Sequence, residues 1–319
     1  MAGSTEALEL ARRIEASDVG AETLERLEAV FDAMAIAYTS AQPNELAVHV
    51  RKHLRYVGRL MDARQTLNEH RRLLVVGGWL SLLAATVHID LRKSSPAAAW
   101  LRTADRLAAE AKHPEIRAWC LETAAWDELT NGRYEAAIAL SKRAQAIAPK
   151  GSSALIQATA QEGRAWARMH RQAEALEAVE RVNALVPRLD ARESPEHHYR
   201  YDPDKALAYT ATTLAWAGDL AAEEYARTVV QRLEASDETR PRRIAAARLD
   251  LGLALATAGK PDEAAAVAIA AIASGRVVPS NFWRANEVVR AVTRAGIREA
   301  SDLREAYRNL IHPGPEGTS

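Results

Sequence analysis

Apolar side chains recur at the three- and four-residue spacing of a helix along almost the whole chain. The breaks between runs carry helix stop and start residues, not the alternation of a strand. Asn131-Gly132 follows the run 116–129, Gly218-Asp219 follows 206–217, and Gly259-Lys260-Pro261-Asp262 follows 244–258. Each glycine suits the left-handed residue that ends a helix, and Pro261 suits the first turn of the next. Second helices are predicted after these turns over 134–148, 221–235 and 262–274. Loops this short between helices of similar length make antiparallel hairpins.

The hairpins repeat in detail. Gly132, Tyr134, Ala137, Ala144 and Pro149 form the clearest unit, with Leu121, Ala124 and Ala125 upstream. Gly163, Trp166, Ala175, Val179 and Pro187 stand at equivalent positions in the next unit, and Gly252, Leu255, Gly259, Ala264, Ala268 and Ala271 in a later one. Small residues at mid-helix let neighbouring helices approach closely. Two units are degraded. Trp79, Leu82, Ala85, Ala98, Leu101 and Ala104 fit only with one residue inserted in the connecting loop. Leu207, Ala211, Leu214 and Gly218 fit, but the following small position shifts onto Ala221-Ala222.

The ends differ. Helices are expected over 8–16 and 22–37, with Asp18 as N-cap of the second, and a longer one over 45–67. The organisation read from these signals is N-terminal helices over 1–68 (capping, inter-domain or dimerising), hairpins over 69–275, capping helices over 276–311 and a disordered tail over 312–319. About fourteen helices are expected in all, arranged as an all-α, right-handed superhelical array of hairpins.

Composition sharpens this picture. Of 319 residues, 67 are Ala, and Arg outnumbers Lys 35 to 7. The apolar fraction is therefore built from small helix formers. The 42 basic and 42 acidic side chains cancel, which removes the general attraction of a protein dedicated to nucleic acid or anionic membrane. One cysteine, Cys120, excludes an internal disulfide and any paired-thiol zinc or redox motif. The apolar run 73–89 is too short and too interrupted to span a bilayer, and no signal peptide opens the chain. A soluble, cytoplasmic protein is expected.

The repeats resemble the tetratricopeptide superfamily. More narrowly, five segments look like the effector region of actinobacterial helix-turn-helix regulators of the Cro/repressor-like type. They are the run 72–84 around Gly77-Gly78-Trp79, Ala118-Trp119-Cys120-Leu121-Glu122-Thr123, the run 157–167 from Gln157 through Gly163 to Trp166, His197-His198-Tyr199-Arg200-Tyr201-Asp202-Pro203, and Gly275-Arg276-Val277-Val278-Pro279-Ser280. The resemblance covers roughly residues 5–310. It implies a sensor region whose output is transcription. The chain shows no helix-turn-helix of its own, so DNA contact is expected only through such a domain absent from this sequence.

In a curved stack the first helices of successive hairpins line the concave side. The repeat register puts Trp119, Glu122 and Trp126 there, then Gln157, Gln161 and Arg164, then Lys205, Tyr209 and Thr212. Aromatic rings beside fixed charges suit a peptide or a small amphipathic ligand; the alternative is that the tryptophans fill gaps between hairpins. His198, Tyr199 and Tyr201 lie in a long linker that either closes over the groove as a lid or is pinned to the solenoid by its tyrosines.

Adjacent histidines point apart, so no metal site is expected, and no cofactor. No phosphate loop, His-Glu-x-x-His helix or nucleophile elbow occurs, Cys120 reads as core, and the chain is read as non-enzymatic. Basic clusters at Arg51, Lys52, His53, Arg55 and Arg59, and at Arg240, Arg242 and Arg243, read as solvated helix surface. The leading expectation is a ligand- or peptide-sensing regulatory protein. The competing one is a freestanding scaffold that holds a protein partner in the same groove, and a second copy of the chain is a further candidate partner.

Overall fold

The computed structural model describes residues 9, 12, 15–186, 196–236 and 240–312. The helix expected over 8–16, the first part of the linker at 187–195 and the tail 313–319 fall largely or wholly outside the described residues. Within them the fold is all α. Fourteen α-helices follow one another: α1 (Ala21–Ala37), α2 (Pro43–Met61), α3 (Leu67–Asp90), α4 (Ser94–Glu110), α5 (Pro114–Thr130), α6 (Tyr134–Ile147), α7 (Ser153–Arg168), α8 (Gln172–Leu185), α9 (Pro203–Ala217), α10 (Ala222–Glu234), α11 (Pro241–Thr257), α12 (Pro261–Ala273), α13 (Phe282–Ala295) and α14 (Ala300–Ile311). A 3-10 turn, Pro279–Asn281, precedes α13.

From α3 onward the helices pair as hairpins, and each odd-numbered helix from α3 to α11 also touches the next odd-numbered one. The odd helices therefore form a continuous inner layer and the even ones an outer layer, the architecture of a tetratricopeptide-like helical repeat. The crossings are made by the alanines that the repeat pattern singled out: Ala137, Ala144, Ala264 and Ala271 are fully buried and Ala175 nearly so. At Gly163 a Cβ would stand 2.9 Å from the Ala178 Cβ. No side chain at all fits there.

The turns explain why some repeats looked degraded. Within the stack the backbone N–H of Lys93, His113, Arg133, Arg171, Asp219 and Lys260 each bonds the carbonyl five residues earlier. This 6→1 closure needs a left-handed residue just before the donor. Gly132, Gly218 and Gly259 supply it, but so do Arg92, Lys112 and His170, with φ of 58°, 53° and 58°. The repeat at Trp79 therefore needs no loop insertion: Leu91-Arg92-Lys93 spans the same three positions as Asn131-Gly132-Arg133. The buried crossing alanine is Ala97, while Ala98 is exposed.

Two boundaries differ from expectation. The helix expected over 45–67 ends at Met61, and a new one starts at Leu67 because Thr66 and Glu69 form a capping box: Glu69 N–H donates to Thr66 Oγ1 (3.2 Å) and Thr66 N–H to Glu69 Oε2 (2.7 Å). Asp18 caps nothing. It takes two bonds of 3.0 Å from Arg64, and Gly20 occupies the N-cap of α1. The capping box also lengthens α3 to 24 residues, long and apolar enough by length and composition alone to cross a membrane, contrary to the reading of 73–89 as too short. Its most apolar stretch is 89% buried inside the fold, between α1 and α2 on one side and the hairpins that follow on the other.

Candidate functional site

A curved hairpin stack has an open concave groove unless something fills it. Here α1 packs on α3 and meets residues 197–200 through Asp32, and the turn that follows it, Tyr38 to Ser40, ties the early repeats to the late ones. Asp90, at the end of α3, is almost fully buried, and three groups converge on its carboxylate. Arg242 at the start of α11 pairs with its Oδ2, Tyr38 Oη donates to the same oxygen (2.8 Å), and Ser280 Oγ donates to Oδ1 (3.0 Å). Arg242 Nη1 also donates to the Tyr38 carbonyl (2.7 Å), and its guanidinium lies 4.3 Å from the Tyr38 ring centre. Arg276 bonds the Ser40 carbonyl (3.0 Å). Pairing with Asp90 holds the Arg242 cation against its burial, and burial with the Asp90 charge pushes the Tyr38 phenol well up.

The segment 196–202 is a strap rather than a free lid. Tyr199 is buried, 5.2 Å from the ring centres of both Trp79 and Trp119, with its Oη 3.0 Å from Thr86 Oγ1. Lys205 Nζ donates to the carbonyls of His197 (2.8 Å), His198 (3.1 Å) and Arg200 (2.5 Å), which uses all three of its N–H groups. Burial still lowers that ammonium to about 8. His197 Nδ1 accepts from Tyr199 N–H (3.2 Å), so its proton sits on Nε2, facing Asp32 (3.2 Å). Burial and the neighbouring Arg200 take this imidazole to about 4, and burial also depresses His198 strongly.

Between the Tyr38-Thr39 turn, the strap and the inner helices remains a cavity of about 210 Å³. Its wall takes side chains from α3, α5, α7, α9, α11 and α13, the inner helix of every hairpin in the stack, and from the outer helix α10. A cavity of about 150 Å³ holds benzene, so this one admits a small molecule and not a folded or long extended chain. Small apolar groups from α9, α10 and α11 line one side, and the rings of Trp119, Trp126 and Tyr209 lie among polar groups elsewhere.

Most of the charge in the wall is internally answered. Asp250 accepts from Thr212 Oγ1 (2.6 Å) and Trp216 Nε1 (3.2 Å) and pairs with Arg284 (3.3 Å). Glu196 pairs with Arg243 (3.2 Å). Beside Lys205, whose ammonium is held by three strap carbonyls, two buried charges have no counter-ion among the described residues. Arg164, 3% exposed, bonds only the side-chain oxygen of Gln161, and its Nε has no partner. Its guanidinium stacks 4.1 Å from the Tyr209 ring centre and 5.5 Å from that of Trp126. Glu122, 4% exposed, accepts only from Gln157 Nε2 (3.1 Å), which also donates to Tyr209 Oη (3.1 Å). Burial raises the Glu122 carboxyl, against the pull of the Arg164 charge and the Gln157 bond.

Of the residues singled out in the sequence, Trp119, Glu122, Trp126, Gln157, Arg164, His198, Lys205 and Tyr209 line this cavity. Gln161 is fully buried behind Arg164, Tyr199 is an anchor of the strap, and Tyr201 stacks on Tyr209 with a buried hydroxyl that has no partner. Lys205 reaches the wall with its donors already committed to the strap. Arg242 and Arg243, read as solvated surface, are instead mostly withdrawn into the cavity wall, because Pro241 starts α11 beside Asp90 and Glu196. Asp90, Asp250 and Arg284 were missed; Thr212 had been placed on the concave face. Among the described residues no cluster of three or more His, Cys, Asp or Glu side chains is placed to hold a metal ion. Cys120 is buried and its thiol is pushed up by burial.

No family model matches the chain, and no curated protein matches it. Among solved structures, nearly identical TPR-like repeats from a Podospora anserina kinesin light chain are similar at 21% identity and a TM-score of 0.42, over 64% of this chain and 99% of that one. A signal-transduction ATPase with a tetratricopeptide repeat sensor, from Pyrococcus horikoshii, is similar at 12% identity and a TM-score of 0.48. That match covers 85% of this chain and 41% of the ATPase.

Proposed function

We propose that this protein is the non-enzymatic sensing part of a regulator, and that the cavity on the inner face of the stack is where a small amphipathic molecule binds. The carrying observation is that the cavity wall takes the inner helix of every hairpin of the stack and holds a buried guanidinium, Arg164, with no carboxylate partner among the described residues. A ligand seated there touches all the repeats at once. If it binds one curvature of the stack more tightly than another, it shifts the population between them, and that differential affinity is what a sensor needs.

The same geometry weighs against a scaffold that grips a protein in its concave groove, because the Tyr38-Thr39 turn and the strap occupy part of that side. A transcriptional output follows from the likeness of the sequence to helix-turn-helix regulators, and would be delivered by a DNA-binding partner or domain outside this chain.

The test is a thermal-shift screen with metabolite and short-peptide libraries, since a ligand bound only by the native state raises the melting temperature. A hit whose shift is lost in Arg164→Gln supports the reading. If no small compound shifts the melt while one protein partner binds stoichiometrically, the scaffold reading replaces it.

A further inference from the structure

Buried charges in a folded protein are normally paired, because each costs several kcal/mol to remove from water alone. The cavity wall follows that rule with two exceptions. Arg242 is answered by Asp90, Arg284 by Asp250 and Arg243 by Glu196, and Lys205 is spent on strap carbonyls. Glu122 on α5 and Arg164 on α7 are left over, one of each sign, both lining the same cavity and both nearly inaccessible to solvent. They make no ion pair with each other. A chain of contacts runs between them, from Glu122 to Gln157, to the Tyr209 hydroxyl, and from the Tyr209 ring to the Arg164 guanidinium. It holds the two charges in one neighbourhood, on two rigid helices.

We infer that the cavity receives a small zwitterion of the amino-acid type, its carboxylate on Arg164 and its ammonium on Glu122. This rests on the reading of the cavity as a receptor site. A simple anion would meet Glu122 and a simple cation would meet Arg164, so each would trade one attraction for one repulsion. A molecule carrying both charges satisfies both residues. The indole N–H of Trp119, 2% exposed and without a partner, is a further donor in the same wall. Ala208, Ala211, Ala246 and Ala247 in the same wall offer apolar surface for the ligand's body. A volume of about 210 Å³ fits a body of on the order of ten heavy atoms.

The experiment is calorimetric titration of the full chain with the twenty protein amino acids and their β-amino homologues. For each binder, the matching amine without carboxylate and the matching acid without ammonium follow. The expected result is that at least one zwitterion binds and that each half-molecule binds at least tenfold more weakly. Glu122→Gln, nearly isosteric, should abolish the preference of zwitterion over acid, and Arg164→Gln the preference of zwitterion over amine. Circular dichroism on both variants checks that they are folded. An acid or an amine that binds as well as the zwitterion overturns the inference. So does a screen in which other small molecules bind and no zwitterion does, and in that case the receptor reading stands. If nothing small binds at all, the receptor reading fails together with it.

Discussion

The two faces of the odd-numbered helices are built on opposite rules. Where they cross their outer partners, the contacts are methyl on methyl: Ala137, Ala144, Ala178 and Ala264 are fully buried, and Gly163 has no room for one carbon more. On the inner face the same helices bury Asp90, Glu122, Arg164, Asp250 and Arg284. The seams contribute stability through burial and close packing. The inner face has desolvated charge that Leu or Ala in its place would not need to offset. Structure alone does not call for that charge, which is why the inner face, and the two unpaired residues on it above all, is where function is placed.

Breaking the inner clasp should have the largest effect. Asp90→Ala strands the Arg242 cation beside Tyr38, and urea unfolding should register a loss of about 3–5 kcal/mol. Breaking a seam comes next: Gly163→Val drives a branched side chain into Ala178 and should cost about 1–3 kcal/mol by the same measurement.

Acid should loosen the inner face more gently. His197 titrates near 4 and His198 is held well below its ordinary value, chiefly by burial, with Lys205 beside both and Arg200 and Asp32 beside His197. Between about pH 6.5 and about 4 the unfolded chain binds protons that the folded chain refuses, so stability falls as pH falls through that window. The raised Glu122 carboxyl opposes this in part. Thermal melts from pH 7 to pH 4.5 should show the decline, and His197→Gln should flatten it.

The comparison is sharpest at Arg164. Removing a buried cation that has no counter-ion should leave stability unchanged or raise it by up to about 1 kcal/mol. A substantial loss in Arg164→Gln would mean that the guanidinium is structural and that the inner face follows the rule of the seams. The smallest effect belongs to the turns: His170→Gly relieves a left-handed non-glycine residue and should stabilise by about 0.5–1 kcal/mol in a denaturant melt.

The hairpin repeat was legible because its seams need small residues at fixed spacing, and a run such as Ala137 to Ala144 writes that need directly into the sequence. The turns were half legible. Gly132 and Gly259 announce a left-handed residue, whereas Arg92 and His170 reach the same conformation through backbone bonds that leave no trace in side-chain identity. Eight of the residues picked for the concave face line the cavity, since helical periodicity fixes which side of a helix a residue occupies. Arg242 was misread because its partners Asp90 and Tyr38 lie 152 and 204 residues away. No local pattern reports contacts at that distance.

That distance has a consequence for how the molecule comes apart. An open solenoid behaves as a chain of nearest-neighbour units, so its ends fray and its middle can open alone. Here bonds spanning 152 to 236 residues, from Arg242 to Asp90 and from Arg276 to Ser40, join the first repeats to the last. The array has become a closed hoop. A hairpin can leave a hoop only when the closure gives way, so amide protons throughout the stack should exchange together, on the timescale of a single global opening.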